Sequence, residues 1–162
     1  MDASIIMGQI GVGLVMGLAT LGSALGIGAV GRAAAGAWTK EAKAGIPLNF
    51  TYIILAGMPL SQTIYAFVMM FIVLQPEVIG SDPAVVAGLI ELHGGTFFGI
   101  GLGCGLAQLG SAWMQGTIGG SAVRALSEGE GKGLANMIIM MGICETVGLF
   151  GFVFLLLVAP SA

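Results

Sequence analysis

The sequence predicts an all-α membrane protein of four transmembrane helices, built as two duplicated hairpins and assembling into a ring. Three observations predict this. Hydrophobic residues make up 57% of the 162 residues and charged residues only 8%, against about 25% charged in a soluble domain. The apolar residues gather in four blocks, near 5–36, 48–75, 84–122 and 133–159, each long enough to cross roughly 30 Å of hydrocarbon. The chain also repeats itself. GLATLGSA (Gly17 to Ala24) returns as GLAQLGSA (Gly105 to Ala112) at an offset of 88, and MPLSQTIYAFV (Met58 to Val68) aligns with MGICETVGLFG (Met141 to Gly151) at an offset of 83. A first hairpin at 1–80 and a second at 81–162 follow, with five extra residues in the first loop.

The first block has the length of a secretory leader, but a leader needs a basic segment ahead of its apolar core. Here Asp2 comes first and the first basic residue is Arg32, so a retained helix is expected. Gly13, Gly17, Ala24 and Gly28 run along it at spacings of four, seven and four. The third block carries Gly95, Gly99, Gly103, Ala107 and Ser111 at every fourth position. It is overlong, and 94–122 suffices to cross. In lipid no hydrophobic force draws helices together, so association rests on close backbone approach, which small residues permit. The first and third helices are therefore expected to form an inner wall. The second and fourth carry Phe67, Met69, Phe71, Phe150, Phe152 and Phe154 and are expected to face lipid.

Charge sets the orientation. Arg32, Lys40, Lys43, Arg124 and Lys132 lie in or beside the two hairpin loops, whereas the connection from Gln75 to His93 carries Glu77, Asp82 and Glu91 and no base. Basic loops stay cytoplasmic. Both hairpin loops are thus expected in the cytoplasm and both termini outside. Cys104 and Cys144 fall inside helices without metal or disulfide spacing and read as packing residues. Trp38 and Trp113 read as interfacial anchors, with Trp113 unexpectedly deep. His93 reads as an interfacial residue at the outer end of the third helix. Thr20, Thr63 and Thr146 are expected to bond to their own helix backbones.

Glu145 would be the twelfth residue of a helix from Leu134 to Val158. An ionisable group at that depth costs about 2.5–3.5 kcal/mol on insertion scales, and such groups are functional candidates. The repeat sets Gln62 opposite Glu145 and Thr20 opposite Gln108, so only one half carries the acid. Met58, Ser61, Gln62 and Tyr65 fall on one face of the second helix, spaced by three and four. Pro59 among them removes a backbone hydrogen bond. If Glu145, Gln62, Gln108 and Ser61 converge, they offer two carboxylate oxygens, two amide oxygens and a hydroxyl. A hard cation asks for oxygen ligands, whereas a proton asks for one acceptor. The surplus favours a metal cation, and Na+ matches the single charge of one carboxylate. Tyr65 is placed to donate its hydroxyl to Glu145. No nucleotide loop, catalytic triad or zinc motif is present: GVGLVMG lies inside a membrane helix, and the basic loops are too short for nucleic acid.

A glycine-rich duplicated hairpin with M58-P-L-S-Q-T-I-Y65, G105-L-A-Q108 and I143-C-E145-T-V-G-L-F-G-F152 resembles the V-type ATPase proteolipids over essentially the whole chain, and most of all the bacterial sodium-transporting kind, subunit K. The resemblance implies a membrane rotor ring turning against a stator subunit that supplies an arginine. Central-stalk subunits at the cytoplasmic loops would couple it to ATP hydrolysis elsewhere, so the chain itself is not an enzyme. Glu145 matches the ion-carrying glutamate, Gln62 and Gln108 the ligand glutamines, and Ser61 a ligand hydroxyl. Met58 stands where a backbone carbonyl is the ligand, and Tyr65 matches the tyrosine that bonds the glutamate. Leu60-Ser61 departs from the usual Gly-Thr, which bears on affinity. One carboxylate per four helices means fewer ions per turn, which favours a pump over a synthase. Two alternatives stand beside this one: the same rotor carrying H+, and a small four-helix cation transporter of the multidrug kind.

Overall fold

Each apolar block folds as a helix in the computed structural model of the chain, which describes residues 3–80 and 83–160. Asp2, used above against a leader, and Asp82, used in the charge distribution, lie outside the described residues. Four helices are long and apolar enough to cross a membrane. The first spans Ala3–Lys43 and the third Pro83–Glu128. Both run beyond the expected 5–36 and 94–122, to roughly 60–70 Å at about 1.5 Å per residue. The Ala-rich stretch after Arg32 is a strong helix former, and a proline is tolerated in a first turn, where its missing N–H is an orphan anyway. The fourth helix, Leu134–Leu157, ends one residue short of the expected Val158.

The second helix is composite. It starts as Thr51–Gly57, tightens to a 3-10 turn at Met58–Leu60, and resumes as Ser61–Val68. It then widens to a π-helical Met69–Leu74 and ends as Gln75–Ile79. Each irregularity lies at a proline. Pro59 sits inside the tight turn. Pro76 cannot donate to the carbonyl four residues back, and just before it the Gln75 N–H reaches five residues back to Met70.

The first and third helices run parallel and pack along most of their length. A Cβ on Gly11 would strike the backbone of Phe97 and Phe98, one on Gly22 that of Leu109, and one on Gly116 that of Gly26. These pairs are offset by 86 to 90 residues, close to the 88 of the internal repeat, so the packing register lies within two residues of the sequence match. The glycines that make this contact are not the ones whose spacing suggested it. Gly13, Gly17 and Gly99 have nothing within 4 Å of a would-be Cβ. The first-helix stripe faces away from the third helix, while Gly103, Ala107 and Ser111 of the other stripe turn to the fourth. The fourth helix is the most outward, with only 11% of its most apolar window buried. Phe67 stacks on Phe71 and Phe150 on Phe154 along the exposed faces of the second and fourth helices.

The hairpin loops are tied by side chains. In the first, Glu41 is buried and accepts from the Tyr52 hydroxyl at 2.7 Å and from the Asn49 N–H at 2.9 Å. Trp38 donates to the Asn49 carbonyl at 3.0 Å. It therefore acts as a loop fastener, and not only as the interfacial anchor expected of it. Gly45 (φ +69) turns the chain out of the first helix and Gly133 (φ +88) leads it into the fourth, both in the left-handed region that glycine adopts without strain. Trp113 is half-exposed in mid-helix and not near an end. His93 meets the edge of Phe97. Thr20 and Thr146 bond to their own helices as expected, but Thr63 donates to Ser23 on the first helix.

Candidate ion-binding site

Glu145 falls midway along the fourth helix and is half-buried. Its two carboxylate oxygens are held by different helices. The Tyr65 hydroxyl donates to Oε1 at 3.0 Å, and Gln115 Nε2 donates to Oε2 at 3.3 Å. Tyr65 is steadied by stacking on Phe152 at 6.0 Å. Gln115 also donates to the Met141 carbonyl, one turn before Glu145, at 3.2 Å. Hydrogen bonds to an ionised acceptor are the stronger kind, so the two donors suit a charged carboxylate.

A second chain of polar groups reaches the same stretch of the fourth helix. The Ser61 hydroxyl lies 3.0 Å from both the Met58 carbonyl and Gln62 Oε1. Gln62 is fully buried and donates to Ser111 at 3.1 Å; Ser111 donates to the carbonyl of Cys144, next to Glu145, at 2.9 Å. The second helix is pinned at the 3-10 turn that holds Pro59. Its carbonyl accepts from Ser23 at 2.6 Å, and Ser23 in turn accepts from Thr63 at 2.8 Å. The stretch carrying Met58, Ser61 and Gln62 is thus held from the first helix, while the Gln62 amide reaches Ser111 of the third.

Of the expected site residues, Tyr65 bonds the carboxylate directly, and Ser61, Gln62 and the Met58 carbonyl form one connected group beside it. Gln108 is different. It is fully buried and donates to the Gly148 carbonyl at 2.8 Å, one turn past Glu145, and has no hydrogen bond to the carboxylate. The glutamine that reaches Glu145 is Gln115, which sequence reasoning missed along with the relay residue Ser111. A signal for both existed. Cys104, Gln108, Ser111 and Gln115 are spaced by four, three and four and so share one face of the third helix. Gln108 drew attention because it sits inside the repeated octapeptide, and Gln115 does not.

Two acceptors in this region stand out. Gln108 Oε1 and Gln115 Oε1 are buried with no hydrogen-bond partner. Such an orphan costs about 1–3 kcal/mol and calls for an explanation such as an ion. Gly148 is required here, because a Cβ would come within 2.9 Å of both Gln108 Oε1 and Ser111 Oγ. The arrangement can therefore hold a proton on Glu145, and it brings polar groups of three helices to the same stretch of the bundle.

The family model for the C subunit of ATP synthase matches this chain twice, over residues 10–73 and 98–158. The matched segments span more than half of the chain and cover both hairpins, including Ser61, Gln62, Tyr65, Gln115 and Glu145. Comparison with curated proteins finds no match. A duplicated hairpin, four membrane-crossing helices and a lone mid-helix carboxylate agree with that match, and the chain belongs to the ATP synthase C-subunit family, the ring-forming proteolipids that serve as ion-translocating rotors of rotary ATPases.

Proposed function

We propose that the chain is the Na+-carrying rotor subunit of a V-type ATPase, the kind called subunit K, driven by ATP hydrolysis in partner subunits. The observation that supports the ion assignment is a pair of buried, unpartnered amide oxygens on the third-helix face that meets the fourth helix beside Glu145. A proton needs a single acceptor, yet Gln108 and Gln115 each bring a buried amide oxygen that nothing uses. Hard cations take oxygen ligands, and one carboxylate balances one positive charge. Glu145, Gln62, Ser61 and the Met58 carbonyl are proposed as ligands, with Gln115 joining Gln108 as a source of amide oxygen. Rotation of the Gln115 amide would exchange its nitrogen for its oxygen at the carboxylate, and Tyr65 would keep Glu145 in place.

Glu145 would receive its ion beside the stator, travel neutralised past lipid on the outward face of the fourth helix, and surrender the ion when a stator arginine approaches. Binding has to be strong enough to neutralise the acid and weak enough to release it, as in channels. The two basic loops would face the cytoplasm and meet the central stalk, with both termini outside the cell membrane. The two hairpins are proposed as units of the duplication, 1–80 and 81–162, with only the second carrying an ion.

Carbodiimide labelling of Glu145 at fixed pH, with and without Na+, tests the reading, because the reagent attacks the protonated carboxyl. Slower labelling in Na+ but not in K+ is the expected result. The second reading, a proton rotor, is favoured by one observation: Gln115 presents its amide nitrogen to Glu145, as suits a site with no metal. It predicts labelling indifferent to Na+.

A further inference from the structure

Burial does little to fix how the fourth helix is turned about its own axis. Only 11% of its most apolar window is buried, and Ile139, Ile143, Val147 and Phe154 are exposed along its outer side. Lipid tails are as apolar as these side chains, so the hydrophobic effect does not favour one orientation over another. A row of polar contacts with one face of the third helix does. Gln108 donates to the Gly148 carbonyl at 2.8 Å, Ser111 to the Cys144 carbonyl at 2.9 Å and Gln115 to the Met141 carbonyl at 3.2 Å. The middle contact is returned, since the Cys144 thiol donates to the Ser111 carbonyl at 3.5 Å.

The three contacts form a ladder with one register. Along the third helix the donors step by three and then four residues, and along the fourth the acceptors step by four and then three in the opposite direction, so each set keeps to one helical face. All three acceptors are backbone carbonyls. The ladder therefore holds the helix itself and not a particular side chain. Turning the fourth helix by one residue, roughly 100° at 3.6 residues per turn, would carry all three carbonyls away together. The contacts straddle Glu145, from Met141 one turn before it to Gly148 about one turn after. Gln115 reaches Glu145 Oε2 from the same nitrogen that holds Met141, and the Tyr65 hydroxyl meets Oε1 in the same setting. Gln108 and Ser111 spend their donors on the backbone.

We propose that Gln108 and Ser111 are positioning residues. With Gln115 they clamp the backbone of the fourth helix in one orientation, so that Glu145 takes up and releases its ion by rotation of its side chain while the helix stays still. This rests on Glu145 being the carrier, but the clamp itself does not depend on which ion is carried.

Cys144 reports on the clamp, because its thiol lies on the clamped face and helix rotation would carry it toward lipid. N-ethylmaleimide labelling of Cys144 is followed in the purified assembly carrying Cys104→Ala, with Val147→Cys in a Cys104→Ala, Cys144→Ala background as the exposed reference. With the ladder intact, Cys144 is expected to label more slowly than the reference, at the same rate with and without Na+. One interhelical hydrogen bond in a membrane averages about 0.6 kcal/mol, or about threefold. S111A and Q108L are each expected to speed labelling about threefold, Q108L/S111A about tenfold, and S111T, which keeps the hydroxyl, not at all. The Na+ concentration that protects Glu145 from carbodiimide should rise about threefold in S111A and return in S111T. Cys144 labelling as fast as the reference with the ladder intact, or a rate unchanged in Q108L/S111A, overturns the clamp. So does S111T labelling as fast as S111A, and acceleration on removing Na+ would mean that the helix turns when the ion leaves. If Q108L/S111A does not assemble, S111A alone decides, since it removes a single oxygen, and an unchanged rate overturns the proposal. The two readings fail separately: Na+ that never protects Glu145 removes the ion assignment, while the Cys144 rates judge the clamp.

Discussion

Tyr65 and Gln115 each hold one oxygen of Glu145, so the two residues can be tested separately from the acid. E145Q is expected to abolish carbodiimide labelling and transport while leaving the helices assembled, since an amide nearly matches the acid in shape. Q115L removes both the hydrogen bond and the unused oxygen. Bonds to charged groups are worth about 1.5–3 kcal/mol, so the Na+ concentration that protects Glu145 should rise about tenfold or more. Q108L is expected to shift it less, because Gln108 is already engaged with the Gly148 carbonyl. A sodium titration of labelling decides between them: a larger effect from Q108L would return the main ligand role to Gln108.

Among elements, the second helix matters most, because its 3-10 turn at Met58–Leu60 leads directly into Ser61 and Gln62. Ser23 fastens the Pro59 carbonyl from the first helix. Ser23→Ala should cost about 1 kcal/mol, as interhelical hydrogen bonds in membranes do, and should weaken Na+ protection as well, because the loosened segment carries Ser61 and Gln62. Unfolding by steric trapping, run beside the labelling titration, reads both effects. A stability loss with unchanged sodium protection would mean that the tether only packs the helix. The glycines separate in the same way. Gly116→Leu would drive a side chain into the backbone of Gly26 and should prevent the first and third helices from pairing. Gly17→Leu enters open space within the chain. It should leave the monomer folded and weaken assembly, visible as a loss of the ring band on a native gel. An intact ring in Gly17→Leu would remove the first-helix stripe from the contact between copies.

For the whole molecule, orientation and copy number set how the site is used. The proposed sidedness is checked by an impermeant maleimide on Gly131→Cys in a Cys104→Ala, Cys144→Ala background. Labelling is expected from the cytoplasmic side only, and labelling from outside alone would invert the topology. The outward fourth helix, with Glu145 half-buried upon it, suits a carrier that must meet lipid and stator in turn. A site sealed inside the bundle would have no route for exchange.

Several features were determined by the sequence alone. Apolar length set the four helices, because a backbone in hydrocarbon must satisfy its own hydrogen bonds. The repeated octapeptide set the parallel register of the first and third helices. The isolated acid marked Glu145 as the candidate functional centre, because a charge in lipid is too costly to keep idly. Spacing also placed Tyr65 and the Ser61–Gln62 pair on the proper face. Tertiary structure alone decided which glycines touch, since a stripe of period four can face a partner helix or a neighbouring copy equally well. It also decided that Gln115, and not Gln108, reaches the carboxylate. Both glutamines share one helical face, and periodicity gives a face but not a height. The antiparallel register of the third and fourth helices supplies the height, and in that register the side chains of Ala107, Gln108 and Ser111 seat against Gly148 and Gly151, which come from a distant stretch of the chain.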